Sequence, residues 1–342
     1  MLSILMLGSL CLVVDTPATL DAELLARVRR EAPAGQARIE AAYGKSKGVV
    51  SMKDGSNYDA MTDAARESMR KNLKPGQAVP KGTVDFGTTR IEFARSGGFS
   101  RVVVHGVVPP EKQPGAERKP APKTATCTGP DGEFQVQWRD GDSTPELKRL
   151  TEAQGWADTR FQREIGTVLG YVHRFIATKL DEVLSSPDLK IAGCSEIDQS
   201  GTKCVALDFE GTPPPPAGAD EKTKKLWRSR PMKGRLVLDP GRSWAVRSIA
   251  YHNPSQPSQT QETRVEYAKN VDGIPIPATI TTIANGVRTR VFSVEEFELG
   301  AVPDDQFLPT AFGLPPVKAT PAAVQAREEA VQSRGWMWIA GG

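Results

Sequence analysis

Apolar residues along this chain recur with two periods, which divide it into a helical minority and a β-rich remainder. Residues 19–43 carry Leu24, Leu25, Val28 and Ile39 on one helical side, with Pro33-Ala34-Gly35 expected to break the helix in two. Residues 48–52 read as a short strand. Residues 59–73 read as a second helix with Met61, Ala65, Met69 and Leu73 on one face, ended by Lys74-Pro75-Gly76. Val84 and Phe86 begin a ribbon that Ile91 and Phe93 continue, and residues 99–108 form a strongly β-branched strand. Over 133–139 the alternation is clean. Phe134, Val136 and Trp138 face one way and Glu133, Gln135, Gln137 and Arg139 the other, the pattern of a half-buried antiparallel strand.

The broadest apolar stripe runs over 161–184: Phe161, Ile165, Val168, Leu169, Val172, Phe175, Ile176, Leu180 and Leu184, a helix stopped by Ser185-Ser186-Pro187-Asp188. Almost everything after it is strand. Residues 189–209 read as a hairpin, 212–230 as a loop containing Pro213 to Pro216, and RLVLDPGRSWAVRSIAYH (235–252) as two strands about Asp-Pro-Gly. Thr263, Val265 and Tyr267 alternate with Glu262, Arg264 and Glu266; Ile274 to Ile280 then lead to Asn285-Gly286, a strong hairpin signal. The strands bury one face and the long helix has a wide stripe, so each needs the other. The expected class is α+β, mainly antiparallel β: a strongly curved sheet or incomplete β-barrel under a helical lid. No boundary separates two cores and no fixed-period repeat is present. The domain is expected over 19–315, with 316–342 as a tail.

Composition changes this picture little. The formal net charge is +3 over 342 residues, so no basic field points to nucleic acid. The prolines cluster, most densely in a charged loop over 109–123 that is not expected to be ordered. MLSILMLGSLCLVV followed by Asp15 to Ala18 has the length of a secretory signal's apolar region, although no Lys or Arg precedes it. Export with removal of residues 1–18 is the expectation. Cys11 stands where a lipoprotein would be acylated, but Leu10 occupies the position that needs a small residue. Cys194 and Cys204 flank a hairpin tip, which suits either a disulfide or two small apolar residues in a sheet. Cys127 has no evident partner, and the spacing is not that of a zinc site.

The order of elements resembles the LolA/LolB lipoprotein-carrier superfamily. The resemblance is carried by KGTVDFGTTRIEFARSGGFSRVVV and CTGPDGEFQVQW for the early strands, and by RLVLDPGRSWAVRSIAYH, TRVEYAKNVDGIPIPATI and VEEFELGAVPDDQFLPTAFGLP for the later ones. It implies a periplasmic or envelope half-barrel that shelters an acyl chain under a lid. Partners would be a lipid or an acylated protein, and a membrane surface, with no cofactor and no nucleic acid. On that reading the protein is not an enzyme, and Phe86, Phe93, Val136, Trp138, Phe161, Ile165, Val168, Leu169, Val172 and Phe175 line the ligand face. The alternative is an envelope interaction module whose sheet has a filled core.

Motifs that could carry catalysis or metal binding are few. Gly44-Lys-Ser46-Lys-Gly48 spells a nucleophile elbow, but it follows a helix and leads into a strand, the reverse of what that motif requires. His105, His173 and His252 lie in different elements, with His173 read as a residue on the lid's surface. Lys222, Lys224, Lys225, Arg228, Arg230, Lys233 and Arg235 surround Trp227 and Met232, a run that suits either anionic headgroups or plain solvation. The terminal SRGWMWIAGG is too short to cross roughly 30 Å of hydrocarbon, and suits either an interface or a cut-short anchor.

Overall fold

A computed structural model describes residues 19–61, 63–73, 77–106, 122–129, 132–140, 142, 145–151, 165–166, 168–176, 178–215 and 221–316. The expected signal segment, most of the 109–123 loop, Lys74-Pro75-Gly76, Phe161 and the C-terminal tail beyond 316 lie outside the described residues. Among the described residues thirteen strands form one sheet in which every neighbouring pair is antiparallel. The strands are β1 (Lys45–Asn57), β2 (Thr83–Ser96), β3 (Phe99–Val104), β4 (Lys123–Gly129), β5 (Gly132–Trp138) and β6 (Glu146–Thr151). They continue as β7 (Leu189–Gln199), β8 (Thr202–Gly211), β9 (Met232–Asp239), β10 (Ala245–Asn253), β11 (Gln256–Val271), β12 (Ile274–Ala284) and β13 (Arg288–Leu299). Their order, β6-β5-β4-β3-β2-β1-β13-β12-β11-β10-β9-β8-β7, leaves β6 and β7 as the two ends, so the sheet is an unclosed barrel.

Turn chemistry sets three of the hairpins. Ser200-Gly201, Asp272-Gly273 and Asn285-Gly286 all have positive φ at both central residues, the left-handed pair that matches the twist of the flanking strands. Asp239-Pro240-Gly241 does not turn in so few residues. Pro240–Arg242 makes a 3-10 turn, and Ser243 and Trp244 both sit in the left-handed region before β10 begins. Register shifts in β1, β10 and β11 bend the sheet, as bulges do. At the β7 end, Leu20 forms a parallel bridge with Cys194: Asp21 N–H donates to the Cys194 carbonyl (3.1 Å) and Cys194 N–H to Thr19 (3.2 Å).

Helix α1 (Ala22–Tyr43) is continuous, contrary to the break expected at Pro33. Proline removes one hydrogen bond, to the carbonyl of Arg29, and Arg29 lies on the exposed side of the helix. Gly35 is there for another reason. A Cβ at Gly35 would stand 2.5 Å from the Ser243 carbonyl oxygen, so its absence lets α1 lie directly on the β9–β10 turn. Gln36 Nε2 then donates to the Trp244 carbonyl (3.1 Å) and Tyr43 Oη to the Pro275 carbonyl (2.6 Å). The 59–73 helix is also shorter than expected: a 3-10 turn at Tyr58–Ala60 precedes α2 (Asp63–Asn72).

The long helix expected over 161–184 is interrupted. Helix α3, of which residues 165, 166 and 168–170 are described, gives way to turns, and α4 (Leu180–Ser185) resumes after them. Between them Phe175 and Thr178 exchange backbone hydrogen bonds (3.0 and 2.9 Å), and Ile176 is held at φ 59°. A β-branched residue in that region is strained, so tertiary contacts must hold it. Phe175 stacks edge-on against Phe209 with centroids 4.8 Å apart, and the Thr178 hydroxyl donates to the Pro214 carbonyl (3.0 Å). The 212–230 loop also contains a helix, α5 (Glu221–Arg228).

Cys194 and Cys204 are free thiols. In the β7–β8 ladder Cys194 opposes Leu207 and Cys204 opposes Ile197, so the two point to opposite faces of the sheet and no bridge can join them. Non-reducing peptide mapping of oxidised protein is expected to recover both unbridged; a Cys194–Cys204 peptide would contradict this register. Gly35→Ala tests the helix contact. Helix propensity alone would raise stability by about 1 kcal/mol. The blocked backbone oxygen is expected instead to lower it by about 1–3 kcal/mol, read from the urea midpoint.

Candidate functional site: the concave face and its lid

The inner face of the sheet carries two apolar clusters, and α1 and the lid (165–185) together cover both. Beneath α3, Ile165, Val168, Leu169 and Val172 pack with Phe93, Ile91, Val102, Val265, Ile280 and Phe292 of the sheet and with Ile39 and Tyr43 of α1. Beneath the second half of the lid, Phe175, Leu180, Val183 and Leu184 pack with Leu24, Leu25 and Val28 of α1 and with Leu207, Phe209 and Leu236 of the sheet. Ile165, Val168 and Leu169 of α3 and Val172 of the turn after it are at most 2% exposed. The structure therefore unites Phe93, Ile165, Val168, Leu169 and Val172, with Phe175 in the adjoining cluster.

Three other residues expected on this face are elsewhere. Val136 opposes Ala125, which opposes Val103, whereas Phe93 opposes Val102. Val136 and Trp138 therefore lie on the outer face, where Phe312 (5.8 Å from the Trp138 ring) and Leu314 cover them. The alternation of β5 showed that one side is buried but not which side of the sheet it is. Phe86 is 47% exposed at the far end of β2, outside these clusters.

A partly buried polar group lies where the lid meets α1. Arg174 of the lid is paired with Glu40 of α1. His173, expected on the lid surface, is 6% exposed and meets Tyr43 edge-on at 5.9 Å. Its Nδ1 has no hydrogen-bond partner. Burial pushes its imidazole down to about 4, Glu40 opposes this, and Arg174 and Arg95 add to it, so His173 is neutral at pH 7. Burial alone would raise the Glu40 carboxyl, but Arg174 more than offsets it and holds the group below the usual carboxylate range. Burial and the repulsion of Arg174 lower the Arg95 guanidinium. Two guanidiniums thus face one carboxylate. Sequence periodicity could not find this group, because its members come from α1, β2 and the lid.

The remaining chemistry expected from sequence is dispersed. Ser46, in the apparent elbow motif, donates its hydroxyl to the Tyr43 carbonyl (2.8 Å) at the end of α1. His105 Nε2 is 2.7 Å from Glu92 Oε1, on another part of the sheet. A polar cavity of about 560 Å³ lies at the other end of the sheet, lined by Arg27, Glu196, Lys203, Asp239 and Arg242. Asp239 there is bound by Arg242 (3.0 Å) and Arg247 (3.4 Å), which tie down the left-handed β9–β10 turn. Among the described residues no helix is long and apolar enough to cross a membrane.

No family model matches the chain, and no curated protein matches its sequence. Solved structures with a similar chain path include a domain described as an outer membrane lipoprotein-sorting protein from Vibrio parahaemolyticus: 7% identity, TM-score 0.40, covering 84% of this chain and 100% of that one. A LolA superfamily protein from Nitrosomonas europaea matches at 12% identity and TM-score 0.34, over 82% of this chain and 99% of that one. A DUF1329 family protein from Desulfovibrio piger matches at 12% and 0.38 over the same shares. The likeness to the LolA type is remote and stops at the arrangement of the chain.

The neutral imidazole has a consequence for stability. The folded value of about 4 lies below the ordinary 6.5, so between those pH values the unfolded chain takes up a proton that the folded chain refuses. Stability is then fully present above about pH 6.5 and falls with acidification, by up to about 1.4 kcal/mol per pH unit from this group. His173→Gln is expected to flatten that part of the profile in urea titrations between pH 6.5 and 4. Parallel profiles for the two proteins would contradict it.

Proposed function

We propose that this protein is a non-enzymatic carrier of an apolar ligand, an acyl chain of a lipid or of an acylated protein, which it takes onto the concave face when the lid moves. The observation that supports this is the contrast between the two covers of that face. Helix α1 is fixed by buried side-chain bonds from Gln36 and Tyr43 and by the Gly35 contact. Among the described residues the lid's polar attachments include the Val172 carbonyl accepting from Val246 N–H (2.9 Å), Arg174 on Glu40, and Thr178 on Pro214, along an irregular path. Lifting 165–178 would expose Phe93, Ile91, Val102 and Phe292, an apolar floor suited to a chain of methylenes. Export to the cell envelope belongs to the same proposal and rests on the N-terminal apolar run.

One observation favours a second reading, an interaction module with a permanently filled core. The α3 side chains are already buried against the sheet. Leu169→Trp and Val172→Trp separate the two. On the carrier reading wild type takes up a fluorescent fatty acid and the variants, which fill the space the ligand needs, do not. On the filled-core reading wild type takes up no fatty acid, and over-packing lowers stability by about 1–3 kcal/mol. Arg174→Ala is expected to speed uptake by loosening the lid; an unchanged rate would contradict a latch at Glu40.

A further inference from the structure

The basic run after β8 is the strongest charge concentration on the chain. From Lys222 to Arg235 there are seven cations and no acidic residue, within a chain of net charge +3. The structure sorts them. Arg235 is bound by both carboxylate oxygens of Asp208 (2.6 and 3.0 Å), and Lys224 is bound by Glu221 (2.7 Å). Lys225, Arg228, Arg230 and Lys233 are exposed, and none joins an ion pair among the described residues. Exposed Glu210 lies across the ladder from Lys233 and is the nearby acid that offsets them in part. Trp227 is half-buried between these cations, while Met232 is buried with Phe175 and Leu180 and so belongs to the core.

Position gives the patch its meaning. Helix α5 follows the 212–215 segment, whose Pro214 carbonyl receives the Thr178 hydroxyl of the lid. Strand β9, which follows α5, opens with Met232, packed in the same cluster as the lid's Phe175. The free cations therefore sit near the 175–180 part of the lid, whereas the Val172 carbonyl meets Val246 toward the other ends of the strands.

We propose that α5 and the start of β9 are an electrostatic docking surface for a membrane of anionic lipid, which sets the 175–180 part of the lid toward the headgroups. The purpose of docking rests on the carrier reading; its existence does not. A headgroup layer supplies many anions in a plane, which suits four separate exposed cations. Each cation near such a surface strengthens binding about 5-fold.

The test is co-sedimentation of the full chain with vesicles of phosphatidylcholine alone or containing a third phosphatidylglycerol. Wild type is expected to bind the anionic vesicles only, and to be released when about 0.5 M salt shortens screening to about 4 Å. Lys225→Glu, Arg228→Glu and Arg230→Glu together are expected to weaken binding by about 100-fold or more. A control with the same change in net charge reverses Lys45, Lys203 and Lys269, exposed at the opposite end of the sheet, and is expected to keep binding within a few-fold. Equal loss in the control, equal binding to neutral vesicles, or binding to duplex DNA without vesicle binding would each overturn the proposal. Fatty-acid uptake from solution by the triple variant separates the two readings. Retained uptake with lost docking supports the patch, whereas docking by a wild type that takes up nothing rejects the carrier and leaves the patch standing.

Discussion

An antiparallel sheet that curves but does not close has one apolar face that it cannot bury on itself, and the rest of this molecule follows from that constraint. Among the described residues thirteen strands run from β6 to β7 without a joining pair, so closure does not hide the inner face. Two covers share the work. Burying each Leu, Ile, Val or Phe side chain contributes roughly 1.5–3 kcal/mol, so both covers are held mainly by apolar contact. They differ in how their backbones are tied. Helix α1 rests on the β9–β10 turn through Gly35 and is bonded to Trp244 and Pro275, whereas the lid is pinned at a few points along an irregular path.

The polar group between the lid and α1 fits this difference. Pairing Arg174 with Glu40 in partial burial recovers little more than the cost of removing the two charges from water, so the pair adds more to registry than to stability. It fixes where the lid meets α1. Lifting the lid carries Arg174 and His173 away and leaves Glu40 of α1 to Arg95 of β2. The strained Ile176 between α3 and α4 lies where the lid changes direction, which is where a rigid-body movement would bend the chain.

Much of the architecture was legible in the sequence because strands with one wet face betray themselves. The alternation in β5, the Asn285-Gly286 turn and the stripe on α3 each report a local constraint that the fold respects. Failures came where a distant partner decided. The stripe over 161–184 continues through the break because both halves bury the same side, so periodicity was blind to Ile176 and to the pull of Phe209 and Pro214. Pro33 predicted a break that its exposed neighbour Arg29 made unnecessary. Pattern also could not tell inner from outer face, which misplaced Val136 and Trp138, or set the ladder register that separates Cys194 from Cys204. The Glu40–Arg174–His173 group was invisible for the same reason, since its spacing exists only after folding.

The central claim is that the lid leaves the concave face when ligand enters. The Val246 amide reports on this directly, because its hydrogen bond goes to the lid at the Val172 carbonyl. Hydrogen exchange at Val246 should accelerate when a long-chain fatty acid is added to saturation, while the Gly44 amide at the end of α1, bonded to Glu40, stays protected. Unchanged or slower exchange at Val246 in protein that has bound the fatty acid would contradict the account.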